Sequence, residues 1–191
     1  METAGLVFTV CPSRVRESDY PFSEPAAYVK TLAEAKAADV SERHPASWVV
    51  GADSIVWLGG RLLEKPGTRE AAVEMMELLS GRTHHVYTGY SIICRQKGHC
   101  RTDAVETAVT VKPLSFEEIA WYTATGEPYD KAGGYAIQGL GSFMIQRISG
   151  SYTNVVGLPL CELMDHLIRE GVIFPSPNRP QWESSPSARA V

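Results

Sequence analysis

The sequence predicts an α/β domain in which helices flank a mixed, twisted β-sheet. Three observations carry this. Val105, Thr107, Val109 and Val111 alternate with Glu106, Ala108 and Thr110, the period-two pattern of a strand with one dry and one wet face. Val29, Leu32, Ala33, Lys36, Ala37 and Val40 instead share one stripe at the helical spacing. Strand-like and helix-like segments interleave along the chain, some joined by tight turns. With 191 residues, 44% of them hydrophobic, the chain can bury one real core.

Taken in order, LVFTV (Leu6 to Val10) reads as a short strand. Ser23 can cap a helix running to about Val40, with Pro25 tolerated in its first turn, where an amide would lack a partner anyway. Trp48 to Leu58 and Arg61 to Leu63 form a hairpin across Gly59-Gly60, a pair that accepts the positive φ angles of tight turns. Thr68 caps the next helix, whose Ala72, Met75, Met76 and Leu79 face inward before Gly81 ends it. Strands follow over Val86 to Cys94 and Ala104 to Val111. Ser115 and Glu118 make a capping box, Leu114 and Ile119 can staple the entry, and Gly126 stops that helix. A glycine-rich loop, EPYDKAGGYAIQGLGS, precedes a strand over Phe143 to Ile148. Pro159 opens the last helix, with Leu160, Leu163, Met164, Leu167 and Ile168 as its apolar stripe. The reading gives one domain over residues 1–174 and a disordered Pro/Ser-rich tail over 175–191.

Composition removes several function classes. A net charge of −4, without a Lys/Arg run, supplies no field for nucleic acid. No apolar stretch approaches the roughly 20 residues that span a bilayer, and the N-terminus lacks the layout of a secretory signal. A soluble, cytoplasmic protein without membrane or nucleic-acid partners is the expectation. Cys11, Cys94, Cys100 and Cys161 are scattered without a C-x-x-C pair, which argues for reduced thiols.

Two kinds of charge do not fit a core. Asp53 interrupts Val49, Val50, Ile55, Val56 and Trp57, where an unpaired carboxylate would neutralise or find a partner. Lys36 lies on the face of its helix that should be buried. Lys65 returns after the Gly-Gly turn, facing Ser54 in an ideal register, so a direct pair with Asp53 needs a bulge, which Gly51 permits, or a frayed end, which Pro66 permits. An ordinary ion pair pinning the sheet and a snorkelling lysine explain these residues. So does a site for a polyanion with a metal ion, because phosphoryl chemistry rests on positioning and charge neutralisation. In the glycine-rich loop, Asp130, Lys131 and Gln138 add charge and an amide able both to donate to and accept from a base edge. His84, His85 and Thr88 read as sheet-surface groups without metal-ligand spacing.

Seven motifs occur in a fixed order: PSRVRE (Pro12 to Glu17), LAEAKA, VVGADSIV, LLEKP, LSGRTHHVYTGYSI, GEPYDKAGGYAIQG and GSYTNVVGLPL. Over about Gly5 to Glu170 the chain resembles the Maf family of nucleotide pyrophosphatases, the septum-formation-inhibitor-like proteins, and is similar to the Maf-like domain of acetylserotonin-methyltransferase-like proteins. The resemblance implies a Maf/ITPase-like fold and hydrolysis of a nucleoside triphosphate to the monophosphate and pyrophosphate with a divalent cation, Mg2+ or Mn2+. It assigns Asp53 as the catalytic acid that orients water and holds the metal, Glu17 as the second acidic position on that metal, and Lys36 and Lys65 as the cations that neutralise the triphosphate. Ser54 and Gln138 match positions that tune base choice. A hydroxyl residue after the aspartate with a glutamine in the loop goes with dTTP and UTP, whereas the 7-methyl-GTP branch carries glutamate in the loop. The resemblance also allows a homodimer.

One departure is plain. The family's opening strand and S-x-S-P-R-R loop, which grips the phosphates, has no match, and METAGL is similar to the tail of the helix that follows that loop. On this reading the fold lacks its first strand and helix. The alternative function is then a catalytically impaired Maf-like protein that binds nucleotide or acts as an interaction partner.

Overall fold

The structure, a computed structural model, describes residue 1 and residues 4–173, so the expected tail over 175–191 lies outside the described residues. Helices α1 (Pro25–Arg43), α2 (Arg69–Leu79), α3 (Phe116–Thr123), α4 (Tyr152–Val156) and α5 (Leu160–Arg169) accompany strands β1 (Val49–Leu58), β2 (Arg61–Leu63), β3 (Thr83–Cys94), β4 (His99–Val111) and β5 (Ile145–Ser149). The strands form one sheet in the order β2-β1-β3-β4-β5. The α/β class is as the periodicities predict.

Pairing follows from the short connections. β1 and β2 are antiparallel, with Trp57 opposite Leu62 and Leu58 opposite Arg61, the expected register, and Gly59 and Gly60 take φ of 54° and 95° in the turn. β3 and β4 are linked by one 3-10 turn, Arg95–Lys97, too short for a parallel crossover. Their side chains pair Thr83 with Thr110 and Ser91 with Thr102, residue numbers moving oppositely as antiparallel strands require. β4 and β5 are antiparallel as well. These described pairings include no parallel one, because each joins consecutive or closely returning strands.

By its contacts the chain divides into two units, Met1–Asp53, Gly89–Ala104 and the described residues from Leu158 in the first, Ser54–Thr88 and Val105–Gly157 in the second. In the second, Val56, Leu63, Met76, Leu79, Val86, Val109, Val111, Ile119 and Tyr122 pack into one core. Thr68 caps α2 through Ala71 N, and Ser115 with Glu118 forms the expected capping box on α3. In the first unit Ala37, Val40, Val49 and Ile93 form a smaller cluster.

Several expectations are corrected. The helix cap at the start of α1 is Glu24 rather than Ser23: its carboxylate accepts from Ala26 N and Ala27 N, two amides that the hydroxyl one residue earlier does not reach. LVFTV is not a strand; only Phe8 makes an isolated bridge, while Val7 and Val10 are 59% and 78% exposed. Apolar β-formers become a strand only where a neighbour offers a ladder. β3 and β4 begin several residues before their expected starts, and Phe143 and Met144 belong to a 3-10 turn, Leu140–Met144, that precedes β5. The helix expected to run to Gly126 ends at Thr123. No helix among the described residues is long and apolar enough to cross a membrane.

The first unit hinges on an unusually close approach. A Cβ built on Gly51 would lie 2.5 Å from the Ala33 carbonyl oxygen and 2.7 Å from Ala37 N; one on Gly89 would lie 2.2 Å from the Val29 carbonyl oxygen. The backbone of α1 therefore rests directly on β1 and β3 where they lack side chains. Gly51, which the sequence offers as a bulge site, serves this contact. Gly89→Ala forces α1 outward and is expected to lower the unfolding free energy by about 1–3 kcal/mol, measured by urea denaturation, with the exposed Gly126→Ala, where nothing lies within 4 Å of the added Cβ, as the milder comparison.

Candidate functional site

Seating α1 on Gly51 carries Lys36 to the strand that holds Asp53. Lys36 Nζ lies 2.7 Å from Asp53 Oδ1 and 2.7 Å from Glu17 Oε1, so one ammonium bridges both carboxylates. The Asp53 side chain is 9% exposed, that of Lys36 21% and that of Glu17 59%, an acid inside with its cation reaching to the rim. Burial works against the Lys36 charge, but hydrogen bonds from the ammonium to Asp53 and Glu17 outweigh it and raise the lysine above its ordinary range. The pair is thus ionic at neutral pH.

Glu17 is brought there by a clamp that the sequence did not disclose. It sits in the 3-10 turn Glu17–Asp19, and the segment before it is fastened to α1. Arg14 N donates to Asp39 Oδ2 at 3.0 Å, while Arg43 donates to the same oxygen at 2.8 Å, to the Pro12 carbonyl at 3.0 Å and to Cys11 Sγ at 3.2 Å. Asp39 and Arg43 stand four apart on α1, a spacing that signals a helix-surface pair and nothing more.

The second unit supplies a cavity of about 420 Å³, within the range of small-molecule sites. Ser54, Val56, Val86, Glu127, Lys131, Tyr135, Gln138 and Gly157 are among its lining residues. Ser54 Oγ is 2.7 Å from Thr88 Oγ1, which also donates to the Asn154 carbonyl at 3.1 Å. Asn154 Nδ2 donates to the Val86 carbonyl and to Thr107 Oγ1, and Thr107 Oγ1 accepts from Ser151 N. Thr88, Thr107 and Asn154 are fully buried, so a buried polar chain fixes the Ser54 hydroxyl, although Asn154 Oδ1 has no hydrogen-bond partner among the described residues.

Gln138 is exposed at the mouth, on a loop tied down by Glu127. The Glu127 carboxylate accepts from Leu140 N at 2.7 Å, Gly141 N at 2.8 Å and the Tyr122 hydroxyl at 2.9 Å. Burial alone would raise its pKa, yet these donors hold it below the usual carboxylate value. This role is not legible in the residue pattern, since Glu127 lies 13 and 14 residues from the two amides it caps. Lys65 is exposed beyond the end of β2. It helps keep the Asp130 carboxyl low, the larger cause being Lys131, whose ammonium is 2.7 Å from that carboxylate. The structure therefore gathers Glu17, Lys36 and Asp53 in the first unit and Ser54 and Gln138 around the cavity of the second.

His84 and Thr88 are not surface groups. Both are fully buried, and His84 Nε2 is 2.7 Å from the Tyr135 hydroxyl on the cavity wall. β3 alternates over this stretch, and His84, Val86 and Thr88 share its buried side while Thr83, His85 and Tyr87 lie on the more open one. Burial, with a smaller contribution from neighbouring His85, pushes the His84 pKa down from 6.5 to about 4. The free thiols at Cys11, Cys94, Cys100 and Cys161 are as expected.

Two predictions follow from these contacts. Lys36→Met removes the ammonium that pairs with the nearly buried Asp53 carboxylate and is expected to lower stability by about 2–3 kcal/mol, below the 3–5 of a fully buried broken pair because the ammonium reaches water. Lys36→Met with Asp53→Asn should recover part of that loss in a double-mutant cycle read by urea denaturation. For His84 the folded pKa lies below the unfolded one, so between 6.5 and about 4 the unfolded chain binds more protons. Stability is unaffected above 6.5 and falls by up to about 3 kcal/mol as pH drops to about 4. His84→Gln should flatten that part of the pH profile of the unfolding free energy.

With this geometry in place, similarity to known proteins can be set beside it. A family profile described as "Maf-like protein" matches residues 1–170. A protein named "dTTP/UTP pyrophosphatase" from Syntrophus aciditrophicus (strain SB) is 46% identical over 167 residues, 87% of this chain and 82% of that protein. One of the same name from Geobacter sulfurreducens is 46% identical over 173 residues, 91% of each chain. Another from Myxococcus xanthus (strain DK1622) is 47% identical over 168 residues, 88% of this chain and 84% of that protein.

Proposed function

The chain belongs to the Maf family, and on that premise we propose that it is a nucleoside triphosphate pyrophosphatase that cleaves dTTP and UTP to the monophosphate and pyrophosphate. The observation that carries this reading is the single Lys36 ammonium held 2.7 Å from both the Asp53 and Glu17 carboxylates. Two acids and a cation fixed at the rim of an apolar sheet are what phosphoryl transfer needs, since its catalysis is mostly positioning and charge neutralisation.

The donor set fits a divalent cation. The two carboxylate oxygens each lie 2.7 Å from the one Lys36 nitrogen, so both acids converge on a single point of positive charge. Hard carboxylate oxygens suit Mg2+ or Mn2+. Asp53 and Glu17 would hold the ion, which supplies charge neutralisation and a more acidic water. Asp53, nearly buried and kept ionised by Lys36, orients the attacking water and takes its proton. Lys36 and Lys65 take up phosphate charge, and the proton accepted by Asp53 passes to bulk water as pyrophosphate leaves, which restores the Asp53–Lys36 ion pair.

Base selection belongs to the cavity. Ser54, its hydroxyl fixed by Thr88, and Gln138, carrying both a donor and an acceptor, match the O4 acceptor and N3–H donor of uracil or thymine. Val56 and Val86 supply an apolar wall for the ring.

Pyrophosphate release from each triphosphate with Mg2+ or Mn2+ tests the proposal. Asp53→Asn should reduce turnover of dTTP and UTP by about a hundredfold or more while the protein stays folded by circular dichroism. Equal rates for the two proteins would overturn the assignment. Gln138→Glu keeps the acceptor for N3–H but loses the donor for O4, and should cut the preference for UTP over GTP by about two- to tenfold in kcat/KM.

A further inference from the structure

One cluster of side chains has chemistry that neither the acid–lysine pair nor the cavity uses. His99 opens β4, while His166 and Glu170 stand in the last turn of α5 and at its C-cap, all within the first unit. His99 Nε2 is 3.0 Å from His166 Nε2, and His99 Nδ1 is 3.5 Å from Glu170 Oε2. One donor atom from each of the three lies within 4.8 Å of the others. The His99 ring is held against Trp48, centroids 5.0 Å apart, and Trp48 is 4% exposed, so the imidazole presents its nitrogens from a packed position.

We propose that His99 and His166, with Glu170 behind His99, bind a borderline transition-metal ion of the zinc class and fasten the C-terminal end of α5 to the start of β4. Two imidazole nitrogens facing each other at this distance share one proton, and a metal ion takes the place of that proton. Nitrogens about 2.0–2.1 Å from a tetrahedral zinc stand about 3.3 Å apart, so the 3.0 Å pair need open by only a few tenths of an ångström. Glu170 beside Nδ1 is the carboxylate that orients a ligating histidine and fixes its tautomer. The C-terminal end of α5 adds a favourable dipole.

Arg101 and Arg169 are the nearby cations that oppose an ion. Arg101 Nη2 lies 3.3 Å from Asp103 Oδ2, and Arg169 Nη2 lies 3.7 Å from Asp165 Oδ2, which offsets much of that charge. Imidazole donors favour zinc, cobalt, nickel or copper over magnesium, so this site and the carboxylate pair at Asp53 select different ions.

Zinc chloride titrated calorimetrically into the full chain, in excess Mg2+ and with Cys100→Ser and Cys161→Ser removing the two exposed thiols, tests the proposal. The expected result is one equivalent bound, with a higher melting temperature when zinc is present. His166→Gln and His99→Gln should each abolish both effects at zinc concentrations that saturate the parent. Glu170→Gln should weaken binding by about 10–100-fold, and Asp53→Asn should leave it unchanged. The proposal is overturned by an absence of zinc binding, by equal affinity in the parent and the histidine variants, or by a zinc equivalent that Asp53→Asn removes. Pyrophosphatase activity is not a readout here, so failure of this test leaves the nucleotide reading standing, and the reverse holds.

Discussion

The backbone of α1 lies on two glycines, and the chemistry of the first unit depends on that contact. An ordinary helix packed on a sheet keeps a layer of side chains between the two backbones. Here Gly51 and Gly89 remove the strand side of that layer, while Ala33 and Ala37 thin the helix side. A lysine stem reaches only a few ångströms beyond its helix, so Lys36 can bridge a carboxylate rooted in β1 and one on the Glu17 turn only because the helix is this close. Larger residues at the glycines would leave Asp53 as an unpaired acid in apolar surroundings, the state that folded proteins avoid. Packing and electrostatics are thus one constraint: the same approach that closes the core brings the countercharge.

Much of this was legible because the signals are local. The Gly59-Gly60 hairpin, the Thr68 cap and the Ser115–Glu118 box depend on residues within a few positions of one another, and each forms as the spacing requires. Asp53 and Lys36 were visible as charges out of place, since burial of a charge implies a partner. What stayed hidden is non-local or indirect. The Glu24 cap competes with Ser23 through side-chain length, which a residue pattern does not encode. The Asp39–Arg43 clamp on the Pro12 to Glu17 segment, the Glu127 anchor and the Thr88–Asn154–Thr107 chain join residues up to 66 positions apart. His84 failed as a surface group because it stands on the inward side of the alternating start of β3 with Val86 and Thr88, where two polar side chains among three hide the apolar period.

On the proposed reading, the charges of the Asp53 site suit two unlike guests. Two carboxylates against one ammonium leave a deficit of one positive charge. A divalent cation added to the acids turns that deficit into an excess of one, and the excess suits a phosphate chain. Lys36 then need not hold both acids at once, and its three donors become available to phosphate oxygens. On that reading the ion pair is the resting arrangement of groups that would exchange partners when metal and substrate bind, and the partly exposed position of Lys36 suits such an exchange.

The cavity of the second unit has the opposite character. Its one lining ammonium, Lys131, is committed to Asp130, and Glu127 places a carboxylate on the wall. A phosphate entering there would meet more negative than positive charge and lose its hydration without compensation. An uncharged ring with a few donors and acceptors loses little, and it gains apolar contact with Val56 and Val86 and hydrogen bonds from groups already fixed by the buried chain behind Ser54. The charge balance of this pocket is therefore an argument, independent of any resemblance, that it suits an uncharged ring better than a phosphate.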